Sequence, residues 1–597
     1  MDQPMPAASL PPAARTTRAA SAERSRNIAP DTRGLDYFAI DHALRSLLPL
    51  YMDGALLAHL TPHLAELGAL AGGHLGALAD NAERHEPVLH RRDRTGRDEE
   101  WLEFHPAYRE MEAIAFGRFG MHAMTNRPGV LGWPDRMPPI AKYVFHYLFS
   151  QAEFGLLCPV NLTDSSSHLV DLFGSEEIRA RYLPRMWSQD MNELMKCAQF
   201  MTEKAGGSDI GRSDLTAVRD GADWRLWGEK WFCSNVDAEA AVLLARPEGG
   251  AEGSRGLGLF LMPRTLPDGT RNAYRIVRLK EKMGSRSMAS GEIVFEGALA
   301  YQLGALDQGL KQMLVMVNSS RISHLTRAAG MMRRCLNEAL VAARHRNAFG
   351  KAVVDHPLMR RQLMKLMVPT EQALSALLYT AAVSSDPSPR AERLLRILTP
   401  ICKYRACRDN VPVATGALEA RGGNGYIEDW PNSRLVRDAH LGLLWEGTSN
   451  INALDAVQRA VGKARAHETL GEDLAGRLDR ADLPGQFRTR LSAAVGRAVR
   501  FADEVAADPA HERFSREASG QLYHAVTATL MATEGQALGE AGGDARRLLL
   551  ARFVLEHRMH EGGPPSLSAR AWEDEAIALL LADTPVPLAT ATRLAQA

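Results

Sequence analysis

At Lys196 the hydrophobic pattern changes its period, and at Gln308 it changes back. From about Leu35 to Met195, apolar residues recur at helical spacing in stretches such as ALLAHLTPHLAELGALAGGHLGALA. The charged loop HRRDRTGRDEEW breaks them once. The middle block instead holds short β-type runs, AAVLLAR, GLGLFLMPR, YRIVRL and GEIVFEGA, and a D-G turn in DLTAVRDGADWRLWGEKWFCSN. PEGGAEGSRG and LPDGTRN read as surface loops between them. Helical spacing then persists to the end, with breaks at DPSPRAE, DLPG, EAGGD and EGGPP. Strand signals confined to one block between helical blocks imply segregated elements, an α+β fold. The reading divides the chain into a disordered tail (1–34), an N-terminal helical domain (35–195), a compact β domain (196–300), a second helical domain (301–463) and an additional helical domain (464–597).

Charge excludes some function classes. Lysine plus arginine equals aspartate plus glutamate, 71 each, so no global field recruits nucleic acid or a membrane surface. No apolar run reaches the roughly 20 residues that cross a bilayer. The 6 cysteines are scattered without a C-x-x-C, and the nearest pair, Cys402 and Cys407, fits no common zinc spacing. The expectation is a reduced cytoplasmic protein with no metal site. The first thirty or so residues, rich in Ala, Ser, Pro and Arg, read as a plain tail rather than a transit peptide.

Four distant stretches carry candidate chemistry, and each also has an ordinary reading. QFMTEKAGGSDIG (Gln199–Gly211) offers exposed backbone N–H groups and the hydroxyls of Thr202 and Ser208, able to line a flat polar ring, or simply to make a turn. In GEKWFCSN, the period of two puts Phe232 and Ser234 on one side of a strand, able to stack on and bond to a ring, or to pack. RHRNAFGK ends a long helix at Gly350, and its arginines could clamp phosphates or face water. EARGGNGYIEDWPNSRLVRDAHLGLLWEGTSNIN carries Gly422, Gly423 and Gly425, which let a backbone approach a ligand, and one lone acid, Glu446. Thr448, Ser449 and Asn450 are good helix-capping types, so Glu446 could merely favour a helix N-terminus.

Taken together, MTEKAGGSD, RNAFG, GGNGY and WEGTSNI resemble the acyl-CoA dehydrogenase flavoprotein family in order and spacing, over roughly residues 36–460. Lys204, the segment DRTGRDEEWLEFHPAY and the helical extension make the chain most similar to the AidB-like branch, the adaptive-response type. The resemblance implies FAD as cofactor. Met201, Thr202 and Ser208 would line the isoalloxazine and its pyrimidine edge, with Ser208 also near the flavin phosphates or the substrate and Gly207 binding the cofactor from the same loop. Phe232 takes the place of a stacking tryptophan, with Trp231 one residue earlier, and Ser234 that of a hydroxyl near flavin N5. Arg346, Phe349, Gly422 and Gly423 would reach the FAD of a neighbouring subunit, and Gly447, Thr448 and Asn450 its ADP half. Arg321 matches a substrate-side arginine. Glu419 and Pro357 stand where many relatives have glutamines.

Glu446 then takes the position of the family's catalytic base. An apolar run, LGLLW, precedes it, and desolvation raises a carboxylate's basicity. The resemblance implies that its backbone N–H and the FAD ribitol hydroxyl polarise a thioester oxygen. Some relatives carry the base about one residue before the matched arginine; Ser320 stands there, so no rival acid is present. Ile451, Leu454, Val457 and Val461 give an apolar stripe, predicting a helix just after the base. The implied reaction is α,β-dehydrogenation of an acyl-CoA thioester by a homotetramer sharing FAD sites, with an undefined electron acceptor. A second reading is an AidB-like, FAD-containing nucleic-acid or alkylation-stress protein with weak dehydrogenase activity. Residues 466–597 hold 19 acidic residues against 14 arginines and no lysine, the wrong balance for phosphate contact. The arginines at 546, 547 and 552 could still form a patch.

Overall fold

The computed structural model describes residues 28–559 and 567–596. The first helical part holds α1 (His42–Tyr51), α2 (Gly54–Gly72), α3 (His74–Arg84), α4 (Pro106–Glu112), α5 (Pro139–Ser150), α6 (Leu157–Phe173) and α7 (Glu176–Met186). Asp41 and Asp53 cap α1 and α2 with their carboxylates. The charged loop of the sequence reading is in fact a β-hairpin, β1 (Val88–Arg92) and β2 (Asp98–Glu103). Its turn is closed by Asp93, which accepts from the backbone N–H groups of Thr95 and Arg97. Leu102 enters the core of the β domain, and Glu100 pairs with Arg271 at 2.9 Å. Charged side chains on its solvent face hide the alternation that would reveal it.

The β domain holds β3 (Cys197–Phe200), β4 (Thr216–Asp220), β5 (Asp223–Ser234), β6 (Ala240–Pro247), β7 (Gly258–Pro263), β8 (Tyr274–Leu279) and β9 (Ser290–Leu303). Strand order is β3-β6-β4-β5-β9-β7, and β7 pairs again with β6, so the sheet closes on itself; β8 branches from β9. The continuous apolar runs of β6 and β7 follow from this closure. Ala241, Leu243, Phe260 and Met262 fill the barrel, while Val242, Leu244, Leu259 and Leu261 face the helices. A strand buried on both faces has no polar side to alternate with.

The second helical part is built on α8 (Gly309–His345), which packs against α5 and α6 and against α9 (Pro357–Val383), α10 (Pro389–Arg421) and α11 (Pro431–Leu441). From Ser320 to Leu336 every residue of α8 is buried. The helix stops at His345, earlier than Gly350, because residues 347–352 form a small hairpin, β10 (Asn347–Ala348) and β11 (Lys351–Ala352). After α12 (Ser449–Leu454) the coil widens into a π-helical stretch to Lys463. Then come α13 (Ala466–Arg480), α14 (Gly485–Ala507), α15 (Ser515–Glu540), α16 (Arg546–Arg558), α17 (Ala571–Leu581) and α18 (Leu588–Gln596).

These last helices share one continuous apolar core with the rest. Buried ion pairs cross the seam: Arg547 binds Glu371 of α9 at 2.6 Å and Glu534 at 2.7 Å. At the other end, residues 28–34 of the expected tail are docked. Thr32 is buried and donates to Glu338, and Arg421 donates to the carbonyls of Ala29 and Pro30. The rest of the tail lies outside the described residues. Among the described residues no helix is long and apolar enough to cross a membrane.

Candidate active site

Glu446 sits in the turn between α11 and α12 with φ +53°, followed by Gly447 at φ +91°. A non-glycine residue in this left-handed region costs roughly 1–2 kcal/mol, so something must hold it there. Three helices do. Arg321 Nε of α8 donates to the Glu446 carbonyl at 3.3 Å, and Lys403 Nζ of α10 donates to that of Gly447 at 2.6 Å. Asn452 Nδ2 of α12 lies within bonding distance of the carbonyls of Glu446, Gly447 and Thr448, at 3.3, 2.7 and 3.0 Å. Gly447 is required, since a Cβ there would meet Ile451 at 3.0 Å. Arg321 is itself fixed by Asp455 at 2.6 Å, which also takes Arg396 at 2.5 Å. These bonds tie Arg321 to the turn that carries Glu446.

The Glu446 carboxylate receives no hydrogen bond among the described residues, although its backbone is tied on every side. Burial raises its pKa, against the pull of Arg321, Lys403 and Arg327. Burial also pushes the Lys403 ammonium down to about 8 and lowers the Arg327 guanidinium. A desolvated carboxylate flanked by weakened cations is a stronger base than one in water.

The opposite wall comes from the barrel. The backbone N–H of Trp231 donates to the Thr202 carbonyl at 2.8 Å, which joins the first two sequence motifs side by side. Phe232 is 55% exposed and Ser234 half-buried, with Cys233 buried between them, so the expected shared side survives the register shift in β5. Lys280 Nζ lies 3.1 Å from the Trp231 ring centre and 5.0 Å from that of Phe232, the more exposed of the two rings. Glu203 anchors the following loop by pairing with buried Lys230 at 2.5 Å and accepting from the backbone of Asp214 and Leu215. Met201 and Thr202 stay half-buried and Gly207 and Ser208 exposed on that loop. A Cβ on Gly207 would sit 3.2 Å from the Thr202 methyl. Burial pushes the Cys158 thiol of α6 up to about 11, with the charge of Glu446 adding to the rise and the Ser234 hydroxyl opposing it. An exposed aromatic side chain, the hydroxyls of Thr202, Ser208 and Ser234 and a glycine loop fit a flat ring system with polar edges.

The remaining motif residues form a second cluster. Arg346 Nη1 donates to the carbonyls of Arg421 (3.0 Å) and Ala420 (3.3 Å), and lies 3.0 Å from where a Gly422 Cβ would stand. Gly422 has φ +77° and ends α10. Phe349 is 97% exposed at the tip of the β10–β11 hairpin, and Gly423 has open space around it. Among the described residues no hydrogen bond, ion pair or ring contact joins this cluster to the Glu446 turn. Thr448 occupies the N-cap position of α12 without a capping bond from its hydroxyl, and Asn450 is exposed. Glu419 accepts from Gln362 at 3.0 Å, and Pro357 opens α9. The arginines considered as a phosphate patch are engaged internally: Arg546 with Asp544, Arg547 with Glu371 and Glu534, and Arg552 with Glu556 over the Trp572 ring. Among the described residues no group of three or more potential ligands could hold a metal ion.

Comparison with known proteins matches three family models: the adaptive response protein AidB N-terminal domain over residues 27–193, the acyl-CoA dehydrogenase middle domain over 198–298, and its C-terminal domain over 307–462. The putative acyl-CoA dehydrogenase AidB of Escherichia coli is 32% identical, over 77% of this chain and 82% of that protein. The chain belongs to the acyl-CoA dehydrogenase family. Acyl-CoA dehydrogenase family member 11 of Caenorhabditis elegans is 31% identical over 71% of this chain and 70% of its own. Among solved structures, the apo form of Bd2924 superposes with TM-score 0.77 at 28% identity, covering 85% of this chain and 99% of that one. Caenorhabditis elegans ACDH-11 in complex with C11-CoA has the same fold, with TM-score 0.82 at 24% identity, over 93% and 96% of the two chains. So does a Bacillus anthracis acyl-CoA dehydrogenase complexed with FAD, with TM-score 0.65 at 18% identity, over 82% and 89%.

In this acyl-CoA dehydrogenase family member, sequence reasoning missed Lys403, Asn452, Arg327 and Cys158. For Lys403 and Arg327 the available signal was a charge inside a largely apolar helical stretch, as in PICKYRAC and HLTRAAG.

Proposed function

We propose that the protein is an FAD-dependent acyl-CoA dehydrogenase that uses Glu446 to remove the α-proton of an acyl-CoA thioester. One observation carries the reading: the Glu446 carboxylate is left without a hydrogen-bond partner among the described residues while side chains from three helices fix its backbone. A structural acid in such surroundings would be paired. Bound FAD would supply the acceptor for the β-hydride. Met201, Thr202, Gly207, Ser208, Phe232 and Ser234 would hold its ring system, with Phe232 against the face and the hydroxyls at the edge. Arg346, Phe349, Gly422 and Gly423 would hold the FAD of a neighbouring subunit, with Gly447, Thr448 and Asn450 on its ADP half. The bare Phe349 and the 80% exposed Tyr426 support a homotetramer that covers them.

Removal of an α-proton needs a base whose pKa is lifted toward the working pH and an acceptor for the charge growing on the thioester oxygen. Burial supplies the first. The Glu446 backbone N–H, turned by the positive φ and making no backbone hydrogen bond among the described residues, would supply the second. Trp445, half-buried beside the base, would shield it from water.

The test is anaerobic addition of a panel of acyl-CoA esters to the yellow holoprotein. A suitable ester should bleach the flavin band. Glu446→Gln should keep the colour and slow bleaching about 10²–10⁴-fold, the usual worth of a general base. Equal bleaching by the variant would remove Glu446 from the chemistry.

A further inference from the structure

Arg327 lies six residues beyond Arg321 on α8, about 9 Å along the helix axis from the arginine that holds the Glu446 carbonyl. It is 1% exposed, and among the described residues no carboxylate lies within ion-pair distance of it. Nε donates to the Ser323 carbonyl at 3.4 Å and Nη2 to His324 Nε2 at 3.2 Å. Nη1 is buried and donates to nothing among the described residues. The guanidinium sits 4.9 Å from the ring centre of Phe154 and 5.7 Å from that of Trp445, the residue just before the base. His324 meets the same indole edge-on at 5.6 Å.

A guanidinium has no lone pair to offer, so His324 Nε2 must be the acceptor in their bond. The proton of the neutral ring therefore sits on Nδ1, and that buried N–H is also without a partner. Two buried N–H groups without acceptors, one of them cationic, thus belong to side chains that touch Trp445, the residue before Glu446. Burying a charged group unpaired costs several kcal/mol. Both donors lack the same thing, an acceptor. The local balance of charge agrees, since Lys403, buried beside the Glu446 turn, also lacks a carboxylate partner among the described residues.

Resting on the acyl-CoA dehydrogenase reading, we propose that the acyl chain of the substrate is short and ends in a carboxylate received by Arg327, which His324 holds in place through Nε2. The distal acid would take the Nη1 hydrogen while the α- and β-carbons lie at Glu446.

The test compares CoA esters of equal short chain length ending in carboxylate or in methyl. It reads flavin bleaching by the holoprotein, and calorimetric binding of their non-reacting 3-thia analogues. The carboxylate ester should be preferred by at least about 100-fold in kcat/KM, because a site built for a polar group strongly rejects the analogue lacking it. Arg327→Met should collapse that preference in both readouts, and Arg327→Lys should retain part of it. If the methionine variant fails to fold, Arg327→Lys and His324→Phe decide by the same ratio. A wild-type preference for the methyl ester, or a ratio unchanged in the variants, overturns the proposal while leaving the dehydrogenase reading intact. If no acyl-CoA bleaches a bound flavin, the dehydrogenase reading falls, and this proposal with it.

Discussion

Two sets of buried arginines share α8 and live in opposite circumstances. Arg333 and Arg334 are matched: Arg333 with Asp41 at 3.3 Å and Glu371 at 2.5 Å, and Arg334 with Glu338 at 2.9 Å, an acid that also binds Arg421. Burial disfavours their charge, yet the neighbouring acids and tyrosines outweigh it and both pKa values rise. Two turns earlier, Arg327 has no such partner and its pKa falls. The first set locks helices to one another. The second leaves electrostatic capacity unused next to Glu446, which is what a site for an incoming group requires and a purely structural core does not.

The comparison can be broken first on its paired side. Glu371→Gln leaves Arg333 and Arg547 short of one charge and should destabilise the fold by about 3–5 kcal/mol, read by denaturant unfolding. A loss under 1 kcal/mol would mean the seam does not depend on its ion pairs. Lys403→Met probes the other side. Removing a buried cation that lacks a carboxylate partner should change thermal stability little, while the loosened Gly447 carbonyl should slow flavin bleaching about 10–100-fold by misplacing the base. Equal losses of stability and rate would make Lys403 an ordinary core residue.

The smallest effect sharpens the picture through pH. Burial lowers the pKa of His324 well below the ordinary value, so the unfolded chain takes up its proton first as pH falls. The stability that His324 contributes is complete above about pH 6.5 and is lost below it. His122, held to about 4, and His146, held to about 3, act in the same direction. Glu371, whose pKa is depressed by Arg333 and Arg547 against the effect of burial, loses its contribution only below about pH 4.5, outside this window. Between about pH 6 and 5, His324→Gln should therefore flatten the fall in unfolding free energy by about 1.4 kcal/mol per pH unit. Parallel curves for the two proteins would show that His324 is protonated in the folded state.

Much of this was legible in the sequence because it is periodic or local. The change of period at Lys196 marks the first barrel strand, Cys197–Phe200, and the acid in WEGTSN lies in the turn before α12, with Val457 and Val461 of the expected stripe buried beyond it. What was hidden is what packing decides. Lys403 and Arg327 sit on helices buried on nearly every side, where no polar face sets a functional charge apart from a chance one. The hairpin at 88–103 looked like a charged loop because Leu102 alone is buried in an apolar core, with Leu89 packed half-buried against it. Residues 28–34 looked like tail because Thr32 is held by Glu338, an acid 306 positions away.

Strands β6 and β7 have one further consequence. Each sends alternate side chains into the barrel and into the helical interior, so the two interiors have a wall in common. Warming cannot melt the helices around Glu446 and leave the strands carrying Phe232 and Ser234 standing, because the partition loses half its packing at once. The two sides of the proposed site are therefore expected to be lost together on heating.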